Sequence, residues 1–229
     1  MKLLLPTRLL PILGAVIVFV AHNLWVLWPW LDGSQIMRGG LISELAADTR
    51  PGQLWLRAAD VMAGAIIVWA AVAGARRWRV GWPRLLAVAV ATTGAGIAGD
   101  AIFNLNCSAT LDAACHATGD LATQPWQHQV HAFTSVVYIT AMIASLAIVA
   151  LSGRGRWRVG AIVLLGVQVV ANVVLALSDL LGRDQLTWLQ GVSVVATAGW
   201  LAALILALAQ PRRPSSGNPT AAAPVHQAG

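Results

Sequence analysis

Charge is scarce in this sequence. Asp, Glu, Lys and Arg together make up only 10% of the 229 residues, while 58% are apolar; soluble domains carry about 25% charged and about 45–50% apolar residues. Fifteen basic and nine acidic side chains are too few to cover a compact soluble protein of this size. That excludes a soluble enzyme, a DNA-binding domain and a disordered regulator. Cysteine is nearly missing: two residues cannot build a disulfide framework. No stretch sustains the alternation of apolar and polar residues that a β-barrel needs. No internal repeat of about 20–50 residues is visible, which removes solenoids and propellers.

What is present is long apolar helix. A hydrocarbon core of about 30 Å needs about 20 apolar residues. Six stretches qualify: Leu9–Trp30, Trp55–Ala75, Leu85–Phe103, Val130–Leu151, Val159–Leu180 and Trp188–Ala209. Backbone groups in lipid must be satisfied internally, so the expected fold is an all-α bundle of six transmembrane helices spanning residues 1–210. Residues 211–229, rich in Pro, Ala and Ser, read as a disordered cytoplasmic tail. The apolar run after Lys2 and Arg8 is too long for a signal peptide and lacks a small-residue cleavage site, so it is expected to stay as the first helix.

The net charge of +6 would suit a nucleic-acid binder, but the charges are sorted along the chain. Eleven basic residues (Lys2, Arg8, Arg76, Arg77, Arg79, Arg84, Arg154, Arg156, Arg158, Arg212 and Arg213) fall on one side of the alternating spans. Four (Arg38, Arg50, Arg57 and Arg183) fall on the other, together with all nine acids. By the positive-inside rule both termini are expected in the cytoplasm, in the plasma membrane. The basic surplus is then a topology signal with some attraction to anionic lipid, and no nucleic-acid partner is expected. Trp25, Trp28, Trp30, Trp55, Trp126 and Trp188 mark the outer interface, and Trp78, Trp82 and Trp157 the inner one.

In the third stretch, Gly94-Ala95-Gly96-Ile97-Ala98-Gly99 matches the GxGxxG dinucleotide fingerprint letter for letter. Its setting inside an apolar span gives it another expected role, close packing of helix backbones. The first outer loop, with Ile36, Met37, Leu41, Ile42 and Leu45 at near-helical spacing, is expected to form a short helix lying on the membrane surface. Cys107 and Cys115 share the second outer loop, where oxidising conditions favour a disulfide between them; a metal site at Cys115-His116 is the alternative.

Polar residues within the spans are costly and mark candidate sites. They are His22 and Asn23, Asp60, Asp100, His128 and His131 with Ser135, and Asn172 with Asp179, all in the outer half. Two readings compete. In one, Asp60, Asp100, His128 and His131 converge as a catalytic or metal centre, with His128, His131 and Asp100 as ligands of a zinc ion that activates water for lipid hydrolysis. In the other they are interhelical hydrogen bonds that hold the bundle. His22, Glu44 and Asn172 are candidates for binding a lipid or small-molecule ligand at an outward-facing cavity. No cofactor is required by the sequence. A third reading is an accessory subunit that docks through the Gly-rich third helix; the oligomeric state is open.

The order of these features resembles the bacterial six-helix membrane family catalogued as domain of unknown function 998. The residues that carry the likeness are Leu41-Ile42-Ser43-Glu44-Leu45-Ala46, Arg57-x-x-Asp60-x-x-Ala63-Gly64, and Gly99-Asp100-x-x-Phe103 with the Cys107/Cys115 loop. His128-x-x-His131, Trp188 and Trp200 complete it. The resemblance covers Leu9 to Ala209 and implies a fold and topology, with no activity attached.

Overall fold

The structure, a computed structural model, describes residues 9–31, 40–75, 82–116, 121–183 and 186–209. These are all-α: α1 (Leu9–His22), the short α2 (Trp28–Leu31), α3 (Gln53–Ala75), α4 (Trp82–Ile102), the short α5 (Ala113–His116), α6 (Trp126–Ser152), α7 (Arg156–Leu180) and α8 (Thr187–Ala209). Five of the six predicted apolar stretches each hold one long helix, and the first, Leu9–Trp30, is broken after His22. The punctuation is local. Pro125 precedes the first turn of α6 and Pro83 lies in the first turn of α4, where a missing N–H costs nothing. Gly153-Arg154-Gly155 reverses the chain between α6 and α7, with Gly155 at φ +54°, a conformation other residues rarely adopt.

Five helices are long and apolar enough to cross a membrane, and α1 with residues 24–30 would make a sixth, bent by 49°. The bend has a side-chain cause. Asn23 Nδ2 donates to the Phe19 carbonyl at 2.8 Å, the acceptor that the Asn23 amide would use in a continuous helix. The amide takes Val20 O instead, and the chain tightens into a 3₁₀ turn over Leu24–Leu27.

The helices close into a ring. Packing runs α1–α3–α4–α6–α7–α8 and back to α1, with α3 and α8 also touching. Val18, Ile67, Val90, Met142, Leu146 and Leu201 are among the side chains that fill the centre. Outward faces are apolar: Val159, Ile162, Val163, Val170 and Val173 of α7 are all exposed, a surface fit for acyl chains and not for water.

Polar groups at mid-bundle are matched. Gln168 Nε2 donates to Ser193 O at 2.8 Å and to Thr197 Oγ1 at 2.9 Å, and Ser193 Oγ donates to Gln168 Oε1 at 2.7 Å, joining α7 to α8. Trp200 Nε1 donates to Ser145 Oγ at 3.0 Å, joining α8 to α6.

The Gly-rich motif lies in unbroken helix, as close packing requires. A Cβ on Gly94 would stand 2.8 Å from Gly64 O of α3, and one on Gly96 only 2.4 Å from Tyr138 Cβ of α6. Gly99 faces Thr134 of α6. These glycines are used up inside the bundle, against α3 and α6.

One end of the ring carries the Gly153–Gly155 connection; the other carries the long loops and the short connection from α7 to α8. At the long-loop end Ile42–Ala46 forms a 3₁₀ turn, and the expectation of a surface-lying helix is corrected there. Leu45 and Ile42 point into a cluster with Leu56, Trp25 and Trp28, because the turn is tied down across the end of the bundle. Ile42 N donates to Gln190 Oε1 of α8, and Thr187 Oγ1 donates to Gly40 O. Ile36 and Met37, and the tail from Pro211, lie outside the described residues.

Candidate functional site

The long-loop end gathers the buried polar residues from α1, α3, α4, α6 and both long loops. Glu44 is the hub between the loops. It is buried, and its Oε2 accepts from Ser108 Oγ at 2.5 Å and Thr110 N at 2.8 Å. Its Oε1 accepts from Leu41 N at 2.9 Å and Thr110 Oγ1 at 3.1 Å. Ser108 and Thr110 lie within the segment closed by the Cys107–Cys115 disulfide, whose Cα atoms are 5.9 Å apart. Asp112 fastens the same segment, accepting from Ser108 N at 2.8 Å and Thr49 Oγ1 at 2.6 Å. Those two bonds hold the Asp112 carboxyl below its ordinary range, with the Arg50 guanidinium helping.

The end of α4 is capped from two sides. Arg57 of α3 donates from Nε to Ala101 O at 2.8 Å and from its second terminal nitrogen to Ile102 O at 3.4 Å. His131 of α6 places Nδ1 at 3.1 Å from both Asp100 O and Phe103 O. Both are acceptors, so Nδ1 carries the proton. A guanidinium and an imidazole thus occupy the carbonyls that a helix C-terminus leaves open. Arg57 also reaches Asp48 at 3.3 Å, and Asp48 accepts from Asn104 Nδ2 at 2.7 Å.

The four catalytic candidates do not meet at one point. Asp100 accepts from Ser135 Oγ at 2.7 Å and from Thr134 Oγ1, with His131 Nδ1 3.9 Å from its Oδ1. Asp60 pairs elsewhere: His22 Nδ1 of α1 is 2.7 Å from Asp60 Oδ1. Asp60 lies within range of the charge on Asp100, and His128 within range of His131 and Glu44. His131 is buried while His128 is half-buried. Asn172 turns back on its own helix, donating to Gln168 O at 2.8 Å, and does not join the end cluster.

Zinc does not fit the proposed ligands. His131 Nδ1 and the Asp100 carboxylate are already committed to protein partners. Among the described residues no three His, Cys, Asp or Glu side chains gather as metal ligands. Nor is the Ser135–Asp100–His131 grouping a nucleophile triad, since Ser135 donates to a carboxylate and no imidazole faces its oxygen.

A second feature of this end was not legible in the sequence. Among the described residues five polar atoms are sealed from solvent and have no hydrogen-bond partner within the protein: His22 Nε2, Asn23 Oδ1, Trp25 Nε1, Asn106 Oδ1 and His128 Nδ1. All five lie at the long-loop end; among the described residues the mid-bundle has none. An unmatched buried polar group costs about 1–3 kcal/mol, so such a concentration calls for an explanation.

Residues 12–207 match the family described as a protein of unknown function, DUF998. The chain belongs to the DUF998 family. No curated protein and no solved structure matches it. The matched span of this DUF998 chain runs from α1 into α8, so both the ring and the polar end lie within the family's domain.

Sequence reasoning missed several residues of the DUF998 chain's polar end. Thr134 and Ser108 are ordinary hydroxyl residues in sequence, and only packing reveals the carboxylates they serve. In sequence Arg57 is only an outer-side charge and part of a motif, whereas in the structure it caps α4. Trp25 reads as a belt residue, whereas its ring lies against Gly191 of α8, 2.8 Å from where a Cβ would sit there.

Proposed function

We propose that this DUF998 protein spans the plasma membrane six times, with both termini cytoplasmic, and binds a lipid or small polar solute at its outward-facing long-loop end. The six-span count takes α1 and residues 24–30 as one bent crossing. The orientation rests on the eleven-to-four sorting of basic residues. The observation that carries the binding reading is the contrast in hydrogen-bond matching between the two parts of the bundle. Gln168, Ser193, Thr197, Ser145 and Trp200 are paired at mid-bundle, while five sealed atoms stand unmatched at the long-loop end. Bundle stability alone would select partners for these atoms or replace them with apolar groups. Selection for a ligand retains them.

The test is mass spectrometry of molecules that stay with the purified protein through detergent extraction. A defined lipid or solute should accompany the wild type and be depleted in His22→Phe and Asn23→Leu variants that still fold. Identical content in all three would refute the reading. Reporters fused after Pro211 and within Asn104–Gln129 test the topology independently, and the same side for both would exclude it.

A further inference from the structure

The Gly153–Gly155 end of the ring carries cations in place of acids. Arg154, Arg156 and Arg158 alternate along the α6–α7 connection, and all three are exposed. Trp157 sits between the last two and turns inward, its ring 6.1 Å from that of Trp200 of α8. Neighbours on a helix point in different directions, so the inward Trp157 leaves Arg156 and Arg158 facing out. Arg84, in the first turn of α4, is exposed at a similar level. Gly96 of α4 meets Tyr138 of α6 and Gly99 meets Thr134, an antiparallel register that sets Arg84 beside Ala150, about one turn short of Arg154.

Among the described residues none of these four guanidinium groups meets a hydrogen-bond or ion-pair partner. Nor is an acid within reach. All nine acids belong to the opposite end; Asp32, Asp120 and Asp184, outside the described residues, each adjoin an element there. At 1.5 Å per residue, Asp100 stands about 24 Å from Arg84 along α4, and Asp179 about 32 Å from Arg158 along α7. Both distances exceed two Debye lengths of about 8 Å, so the countercharge at this end comes from outside the chain. An apolar surface begins where the arginines stop. Val159 adjoins Arg158 and is 62% exposed, and Val163, Val170 and Val173 continue the same face of α7. Gly166 leaves a notch in the middle of that face, with nothing within 4 Å of where a Cβ would sit.

We propose that the α6–α7 connection and the face of α7 beyond it form a binding site for an anionic phospholipid. The phosphate is held by Arg156 and Arg158, with Arg154 and Arg84 beside them, and an acyl chain lies along Val159 to Val173 across the Gly166 notch. This site is at the opposite end from the one proposed above and does not rest on it. Guanidinium is the side chain whose paired N–H groups match phosphate oxygens. The strip from Val159 to Val173 runs about 21 Å at 1.5 Å per residue, enough to line one leaflet of a hydrocarbon core about 30 Å thick. A nucleic acid or an acidic soluble protein would meet the arginines and leave that strip unused. A zwitterionic lipid would bring its own ammonium among the arginines, where no acid offsets it.

The test places the full chain in nanodiscs of equimolar phosphatidylglycerol and phosphatidylcholine, and native mass spectrometry counts the lipid that stays with the protein. The wild type should retain phosphatidylglycerol about tenfold over phosphatidylcholine. Arg156→Gln and Arg158→Gln should each lower that preference about fivefold, the effect of one arginine near an anionic headgroup. Arg183→Gln removes the same charge at the opposite end and should leave the preference unchanged. An equal loss from Arg183→Gln would mean that net charge alone draws the lipid, and would overturn the site. So would equal retention of the two lipids by the wild type, or a preference that neither Arg156→Gln nor Arg158→Gln alters. Soluble glycerol phosphate, polyglutamate or a single-stranded oligonucleotide should not displace the bound lipid. Displacement by any of them would overturn the lipid assignment, in favour of a free anion, an acidic protein or a nucleic acid respectively.

Discussion

Removing the Glu44 carboxylate should unfasten both long loops. Its two oxygens accept four hydrogen bonds, from Leu41 N, Ser108 Oγ, Thr110 N and Thr110 Oγ1. The hydroxyls can rotate to new partners, but the two backbone amides cannot. Glu44→Ala leaves them unmatched at about 1–3 kcal/mol each, and also loses the charge assistance, so the local cost is about 3–5 kcal/mol. Glu44→Gln is not a mild substitute. Whichever way its amide turns, the NH₂ faces a backbone N–H, that of Leu41 or of Thr110, so about half the loss is expected. The assay is amide hydrogen exchange at Asp48 and Asp112, whose own bonds to Leu105 O and Ser108 O are untouched by the substitution. Opening weakened by about 3–5 kcal/mol should speed their exchange about 100-fold to 4,000-fold. Acceleration of less than about tenfold in Glu44→Ala would mean that the disulfide and Leu45 hold the loops without it, and the hub argument would fall.

Gly96→Ala should cost about 1–3 kcal/mol in thermal unfolding, because its Cβ would meet Tyr138 Cβ at 2.4 Å and force α4 from α6. Gly166→Ala on α7, with nothing within 4 Å, should be neutral or slightly stabilising, and equal effects at the two sites would contradict the packing. Acid should loosen the disulfide loop through Asp112. Its folded pKa is depressed, so its contribution is full above the unfolded value of 3.8 and is lost as pH falls through the folded one. Asp112→Asn should abolish that acid-side increase in Ser108 amide exchange; an unchanged pH profile would assign the effect to another group. Asp100→Asn keeps one acceptor for Thr134 and Ser135, so it should cost only about 1 kcal/mol, as interhelical bonds in membranes do. A loss several times larger would show that the charge itself is needed.

Five long apolar helices were legible because lipid imposes a length and apolarity that sequence displays directly; the break after His22 in the first stretch was not. The Gly94–Gly99 run was legible as packing for the same reason, since a polar turn cannot sit within an apolar span. Cys107 and Cys115 pair as their shared loop suggests. Partner choice was not legible. Asp60, Asp100 and His131 lie at similar depth, and depth alone grouped them; the ring order instead sets Asp60 of α3 against His22 of α1, and Asp100 of α4 against Thr134 and Ser135 of α6. Ile42 and Leu45 have the spacing of a surface helix, but bonds from Gln190 and Thr187 of α8 turn that segment inward. Those contacts join residues about 150 positions apart, and no local pattern encodes them.

The binding claim is tested most directly by an experimental structure of the protein in a lipid bilayer. It should show a bound molecule larger than water within hydrogen-bond distance of His22 Nε2 or Asn23 Oδ1, with Asp60 still on His22 Nδ1. A structure in which both atoms are matched by protein groups, with no bound molecule at the bend of the first span, would contradict it.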